Sequence, residues 1–237
     1  MNTYFDYIPE LLRTTEQDQA YRYPQPRYSP PALINTNIPA IIDKLGLEHL
    51  PLQRQLIASC LKAFEKHEDV VAAVLVGSLA GGKGDRISDA DILLLTRNAF
   101  HKKASHAYQE FESDKAIAYT LTSPINDTAS FRKYLLEDLT SIEIHCVDLE
   151  EKVEIAKPFQ VLFDKGEVIA ARLTDKPAPK HKDFPVYDHG DEGLIWELFE
   201  CIKWLSRGNN DLAKGYIKRL AAKLSSSTQE KASTNPA

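Results

Sequence analysis

The chain has 237 residues, 43% of them hydrophobic and 27% charged, with 10 glycines and 13 prolines. These proportions fit one large domain, or a medium domain with a small one, and exclude fibrous, collagen-like and wholly disordered classes. The net charge of −5, from 29 Lys and Arg against 34 Asp and Glu, argues against a partner that is long nucleic acid. No apolar run approaches the ~20 residues that cross a bilayer.

Residues 1–37 interleave Tyr4, Tyr7, Tyr21, Tyr23 and Tyr28 with Pro9, Pro24, Pro26, Pro30 and Pro31. Proline removes backbone donors and disfavours helix in the residue before it. An extended arm is expected, with a short helix near 6–20. Residues 38–46 predict a short helix stopped by Gly46. Residues 51–67 predict an amphipathic helix, with Pro51 in its first turn and Leu52, Leu56, Cys60, Ala63 and Phe64 on one face.

VVAAVLV at 70–76 reads as a buried strand. A glycine-rich loop, GSLAGGKGDRIS, fills 77–88, and ADILLLT at 90–96 is a second strand. A helix is expected over 100–112, a strand over 115–121 and a helix over about 128–138. SIEIHCVD at 141–148 alternates strictly and predicts a strand. Residues 160–173 read as two short strands around a turn at Lys165-Gly166.

A linker rich in Lys and Pro spans 174–185. A helix follows at about 191–206, with Leu194, Leu198, Cys201 and Leu205 on one stripe, and another at about 211–224. The tail, 225–237, lacks large apolar residues and is expected to be disordered. The domain reading is therefore an arm (1–37), an α/β domain (38–175), a C-terminal helical segment (190–224) and a tail.

Cys60, Cys146 and Cys201 are odd in number, far apart and set among apolar neighbours, so buried free thiols are expected. The N-terminus carries no basic stretch before an apolar core. A cytoplasmic location and no membrane partner are expected.

The chemistry concentrates where the first buried strand meets Gly77-Ser78 and where Ser88-Asp89-Ala90-Asp91 opens the second. Two carboxylates two residues apart on a strand share a face and repel, unless a divalent cation lies between them. All-oxygen ligation suits magnesium, which leaves positions for substrate phosphates. Gly77 and Ser78 offer backbone N–H groups and a hydroxyl to phosphate oxygens. A third carboxylate is needed as metal ligand or base. Glu143 is the candidate, because Ile142, Ile144 and Cys146 occupy one face of its strand and leave Glu143 and His145 on the other.

GSLAGGKGDRISDADI resembles the signature of the DNA polymerase beta-like nucleotidyltransferase superfamily: apolar strand, Gly-Ser, about a dozen residues, then Asp-x-Asp. It is most similar to the small nucleotidyltransferases that act on aminoglycosides and lincosamides, and FQVLFDKGEV resembles a segment after their catalytic sheet. The resemblance implies a mixed β-sheet core flanked by helices, in the α/β (α+β) class, with a short C-terminal helical part. It implies transfer of a nucleoside monophosphate from an NTP, ATP being the expected donor, to a hydroxyl of a small acceptor. Asp89, Asp91 and Glu143 would be catalytic and hold magnesium, two ions being expected. Gly77, Ser78 and Lys83 would meet the triphosphate. Members of this type carry a longer C-terminal helical domain than the two helices expected here. A protein-modifying AMP transferase resembling certain antitoxins, and a non-catalytic nucleotide-binding module, remain open as alternatives. So does a homodimer.

Arg86 could also touch phosphate, whereas Asp85 and Ser88 are expected to fix the loop by local bonds. The basic residues of the last helices, Lys203 among them, read either as a solvated face or as a phosphate grip.

Overall fold

The computed structural model of the chain describes residues 37–122, 127–178 and 185–233, with side chains given up to Ser225 in the last helix. The N-terminal arm over 1–36, its expected short helix and the middle of the 174–185 linker lie outside the described residues.

Helices α1 (Ile38–Asp43) and α2 (Pro51–Phe64) lead into strand β1 (Val70–Val76). A short helix, α3 (Gly77–Ala80), precedes β2 (Ala90–Thr96). Helices α4 (Phe100–Lys103) and α5 (Ser105–Glu112) precede β3 (Ile117–Thr122), β4 (Ala129–Leu136) and β5 (Ser141–Asp148). Then come β6 (Ile155–Ala156), β7 (Phe159–Asp164) and β8 (Leu173–Thr174). Helices α6 (Gly190–Ser206) and α7 (Asn210–Ser233) close the described chain.

Six strands form one mixed sheet in the order β3-β4-β5-β2-β1-β7, in which only the β2–β5 pair is parallel. Strand alternation sends the two faces to different partners. One face, with Leu75, Ile92, Leu94, Ile142, Ile144 and Cys146, packs on α1, α2, α4 and α5. The other carries Val74, Leu93, Leu95 and Val147 against Val153, Ile155 and Ile169. Beside these, Phe131 and Leu135 of β4 receive Trp196 and Phe199 of α6. This is the expected α/β architecture, and the strands at 70–76, 90–96 and 141–148 have the expected bounds. Cys60, Cys146 and Cys201 are free and buried. No helix among the described residues is long and apolar enough to cross a membrane.

Four expectations need correction. Residues 129–136 are a strand, not a helix. Phe131 and Leu135 are spaced for a helix, but the segment buries both sides, Tyr134 going to one core and Phe131 to the other. The stretch 160–173 is not a hairpin. β7 pairs with β1, and the Asp164 carboxylate accepts from the N–H groups of Val168 and Ile169, turning the chain away to place β8 beside β6. The α6 stripe is misplaced: Trp196, Phe199, Cys201 and Trp204 are buried, while Leu198 and Leu205 are exposed. Finally, α7 continues to Ser233, past the expected end at 224. Its Ala, Gln, Glu and Lys residues are good helix formers and need no apolar face to extend a helix already begun.

Candidate active site

Sheet pairing builds the site. Asp91 stands level with Glu143 across the parallel β2–β5 pair. Glu143 in turn stands level with Lys133 on β4, and Asp91 with Val76 on β1. Residues paired in register point to the same face, so Lys133, Glu143 and Asp91 form a row running across the sheet. β1 ends at this row, and the chain turns through Gly77 at φ +74°. A Cβ on Gly77 would strike Oδ2 of Asp91. A side chain here would be strained in the backbone and would have to displace that carboxylate oxygen.

Asp89 sits at the mouth of β2. It accepts hydrogen bonds from Ser141 Oγ and from Lys203 Nζ, the latter at 2.5 Å. Lys203 comes from the buried face of α6 and also donates to Glu200 Oε1 at 2.5 Å. Lys133 Nζ lies 3.2 Å from Glu143 Oε1 and 4.0 Å from Asp89 Oδ2, over the Trp196 ring at 4.7 Å from its centre. His145 Nε2 lies 3.7 Å from Glu143 Oε2, with its ring stacked on Phe131.

The charges follow from this crowding. Burial pushes the Asp89 carboxyl up, but the Lys203 and Lys133 ammoniums and the bonds from Lys203 and Ser141 outweigh it, drawing the group down to about 2. At Asp91 the same two ammoniums are outweighed. Burial, then the charges of Asp89 and Glu143, push its carboxyl well above the usual range. Burial works against the Lys133 ammonium, but Glu143, Asp89, Glu200 and Asp91 hold it charged.

The donor set can be tested against a metal ion. Glu143 is fully buried, and among the described residues neither carboxylate oxygen accepts a hydrogen bond. Asp91 is pressed toward protonation by burial and then by its carboxylate neighbours. Hard oxygen donors with unused lone pairs and mutual repulsion fit a divalent cation in chemical type. Among the described residues, no group of three His, Cys, Asp or Glu side chains is placed, as the side chains stand, to hold a metal ion. Two ammonium groups stand among these carboxylates instead.

The glycine-rich segment forms the rim. Ser78 is exposed at the start of α3, and Lys83 is exposed, its N–H donating to Ser78 O. Asp85 Oδ1 accepts from the Ile87 N–H and from Ser88 Oγ, the local fixing expected of this pair. Arg207, just past α6, grips Asp85 through Nε and Nη2 at 2.7 and 2.8 Å. Arg86 turns away and donates to Asp138 O. Gln53 of α2, fully buried, donates to Arg86 O at 2.7 Å and pins the loop from below.

Asp89, Asp91, Glu143 and Gly77 thus come together, with Ser78 and Lys83 on the rim. Sequence reasoning missed Lys133, Ser141 and Glu200 and left Lys203 on a basic helix face. For α6 a signal existed. Glu197, Glu200 and Lys203 recur at helical spacing between Trp196, Phe199 and Trp204, so charge lies on an aromatic stripe that must be buried. For Lys133, burial follows only once 129–136 is seen as a strand.

Residues 57–169 match the family model described as nucleotidyltransferase domain; the segment includes Gly77, Asp89, Asp91 and Glu143. No curated protein matches the chain. A solved structure described as "structure of GLD-2/RNP-8 complex" is similar at a TM-score of 0.28 and 14% identity, over 46% of this chain. The chain spans 37% of that chain's length, and a likeness at this level carries no argument about activity.

Proposed function

We propose that the chain transfers a nucleoside monophosphate from a nucleoside triphosphate, ATP being the expected donor, to a hydroxyl of a small molecule, with magnesium. The observation that carries this reading is the level placement of Asp91 and Glu143 on adjacent strands, with Asp89 at the mouth of the same strand as Asp91. The match of residues 57–169 supports nucleotidyl transfer as the general chemistry.

Asp89, Asp91 and Glu143 would hold the ion. When bound, it supplies positive charge against the triphosphate oxygens and the attacking hydroxyl. The other roles belong to the chain. Gly77 leaves room beside Asp91 where a side chain would not. Ser78 and Lys83, exposed on the rim, offer a hydroxyl and an ammonium to phosphate oxygens. The acceptor hydroxyl oxygen bonds to the α-phosphorus as the bond to the β-phosphate bridge breaks. Pyrophosphate leaves, and the hydroxyl proton passes to a Glu143 oxygen. Among the described residues neither Glu143 oxygen has a hydrogen-bond donor, so each keeps a lone pair for that proton. Lys133 Nζ, 3.2 Å from Glu143 Oε1, orients that carboxylate before transfer.

The test is transfer itself. The wild type and Glu143→Gln are incubated with each NTP, magnesium and a panel of hydroxylated compounds, and products are read by mass. A product heavier by one nucleoside monophosphate, formed ~10²–10⁴-fold more slowly by Glu143→Gln, supports the reading. Equal rates would remove Glu143 from the chemistry.

A further inference from the structure

Asp89 already has a cation of its own. Its Oδ1 accepts from Lys203 Nζ at 2.5 Å and from Ser141 Oγ. A carboxylate oxygen carries two lone pairs, so Oδ1 is filled and Oδ2 is the oxygen left to ligate. Lys203 is fixed in that position from behind. It is 2% exposed, donates to Glu200 Oε1 at 2.5 Å and lies over the Phe199 ring, 4.7 Å from its centre. Withdrawing the ammonium would strip it from Asp89 and from Glu200, itself 3% exposed, and buried charges lose heavily when a partner goes. The helix that carries it is anchored as well. Trp196, Phe199 and Trp204 are buried on either side of Lys203, and Arg207, one turn further on, grips Asp85 in the loop that leads to Asp89.

We propose that the site holds one divalent cation, through Asp91, Glu143 and Oδ2 of Asp89, and that the Lys203 ammonium stands in place of a second. Glu143 is the open side of the site: it is fully buried, and among the described residues neither of its oxygens accepts a hydrogen bond. Asp91 stands level with it. Two ions in one catalytic site lie ~3.5–4 Å apart and share carboxylates between them. Asp89 cannot offer one oxygen to each ion while Oδ1 holds Lys203 and Ser141. The formal charges agree. Asp89, Asp91, Glu143 and Glu200 stand against Lys133 and Lys203, which leaves two negative charges, and one divalent ion cancels them. The inference rests on the reading of Asp89, Asp91 and Glu143 as ion ligands, and it makes α6, which lies beyond the matched residues 57–169, part of the catalytic centre.

The full chain is equilibrated with saturating Mn2+ and α,β-methylene-ATP, an analogue whose α-to-β bridge does not break. Bound Mn2+ is counted by dialysis, and its electron paramagnetic resonance spectrum is recorded. Neither readout needs turnover. One Mn2+ per chain with an uncoupled spectrum is expected, and Asp91→Asn should lose it. Lys203→Ala, checked for folding by circular dichroism, should take up a second Mn2+ and give the spin-coupled spectrum of two ions ~3.5–4 Å apart. Two Mn2+ on the wild type overturn the proposal and leave the three carboxylates as ligands. A single Mn2+ on folded Lys203→Ala overturns it as well; should that variant not fold, the wild-type count decides alone. No Mn2+ on the wild type, or an ion that Asp91→Asn retains, overturns both the proposal and the reading beneath it.

Discussion

Asp91 and Glu143 occupy the same level of two adjacent parallel strands, on the same face of the sheet. Among the described residues no lysine within hydrogen-bonding reach serves Asp91, whereas Lys203 serves Asp89 and Lys133 stands 3.2 Å from Glu143. The carboxyl of Asp91 is pushed well above its ordinary value by burial and then by its two acidic neighbours. In the absence of a cation, Asp91 is a source of electrostatic strain at the centre of the site.

Asp91→Asn should therefore stabilise the metal-free protein while abolishing transfer. The folded carboxyl binds its proton more tightly than the unfolded one. Stability thus falls as pH rises from the ordinary carboxylate value through the raised folded value. Asparagine removes that fall. A gain of about 1 kcal/mol would raise Tm by ~2–4 °C in a chain of this size. Thermal melts at neutral pH with chelator check this; a lower Tm for Asp91→Asn contradicts it.

Gly77→Ala should cost more than Gly46→Ala, although both glycines have positive φ. Gly46 has open space around its missing Cβ, so alanine there pays only the left-handed conformation, ~1 kcal/mol. At Gly77 the new Cβ also meets Oδ2 of Asp91. A total of about 2–4 kcal/mol is expected, from strain plus displaced carboxylate. Adding Asp91→Ala to Gly77→Ala should recover the excess. Urea titrations of these three variants and of Asp91→Ala alone measure it, and equal costs at the two glycines would mean that the contact carries no energy.

Lys203→Met should destabilise by ~3 kcal/mol, because Asp89 and Glu200 lose their shared buried ammonium. With Lys203 present, the Asp89 carboxyl lies at about 2, below its ordinary value. Its stabilisation is thus complete above the unfolded carboxylate value and is lost as pH falls toward 2. Without Lys203 that acid loss should begin at higher pH. Adding Glu200→Gln should return part of the stability. Additive effects of Lys203→Met and Glu200→Gln in a double-mutant cycle would show that the pair is not coupled.

The Arg207–Asp85 fork should be weaker and salt-sensitive. The bonds from Arg207 hold the Asp85 carboxyl at about 2. Both side chains are partly solvated, at 31% and 42% exposure, so screening limits the pair to less than ~1 kcal/mol. Arg207→Gln should cost a few tenths of a kcal/mol at low salt and nothing measurable at high salt. A large, salt-independent loss would mean that Arg207 supports the loop by packing instead.

The parts legible in sequence are those that local pattern dictates. VVAAVLV, ADILLLT and SIEIHCVD are continuous or alternating apolar runs, and each became a strand of the expected length. Alternation also put Glu143 opposite Ile142 and Ile144, as the two cores show. SFRKYLL was not legible. Arg132 and Lys133 look solvent-facing until β5 supplies Glu143 beside Lys133 and α5 supplies Glu112 to Arg132. Those partners are set by tertiary pairing, which local propensity does not contain. The face of α6 was hidden for a related reason. A helix with leucines on one side and tryptophans on another offers two apolar faces, and only the cluster at Asp89 decides which turns inward.

Nucleotidyl transfer by Asp89, Asp91 and Glu143 is open to a direct comparison of products. Wild type and Asp91→Asn are incubated side by side with each NTP, magnesium and a panel of small hydroxylated compounds, and every product mass is compared. The account predicts a product heavier by one nucleoside monophosphate, accompanied by pyrophosphate, in the wild-type reaction and absent from the Asp91→Asn reaction. Indistinguishable spectra from the two proteins would contradict it.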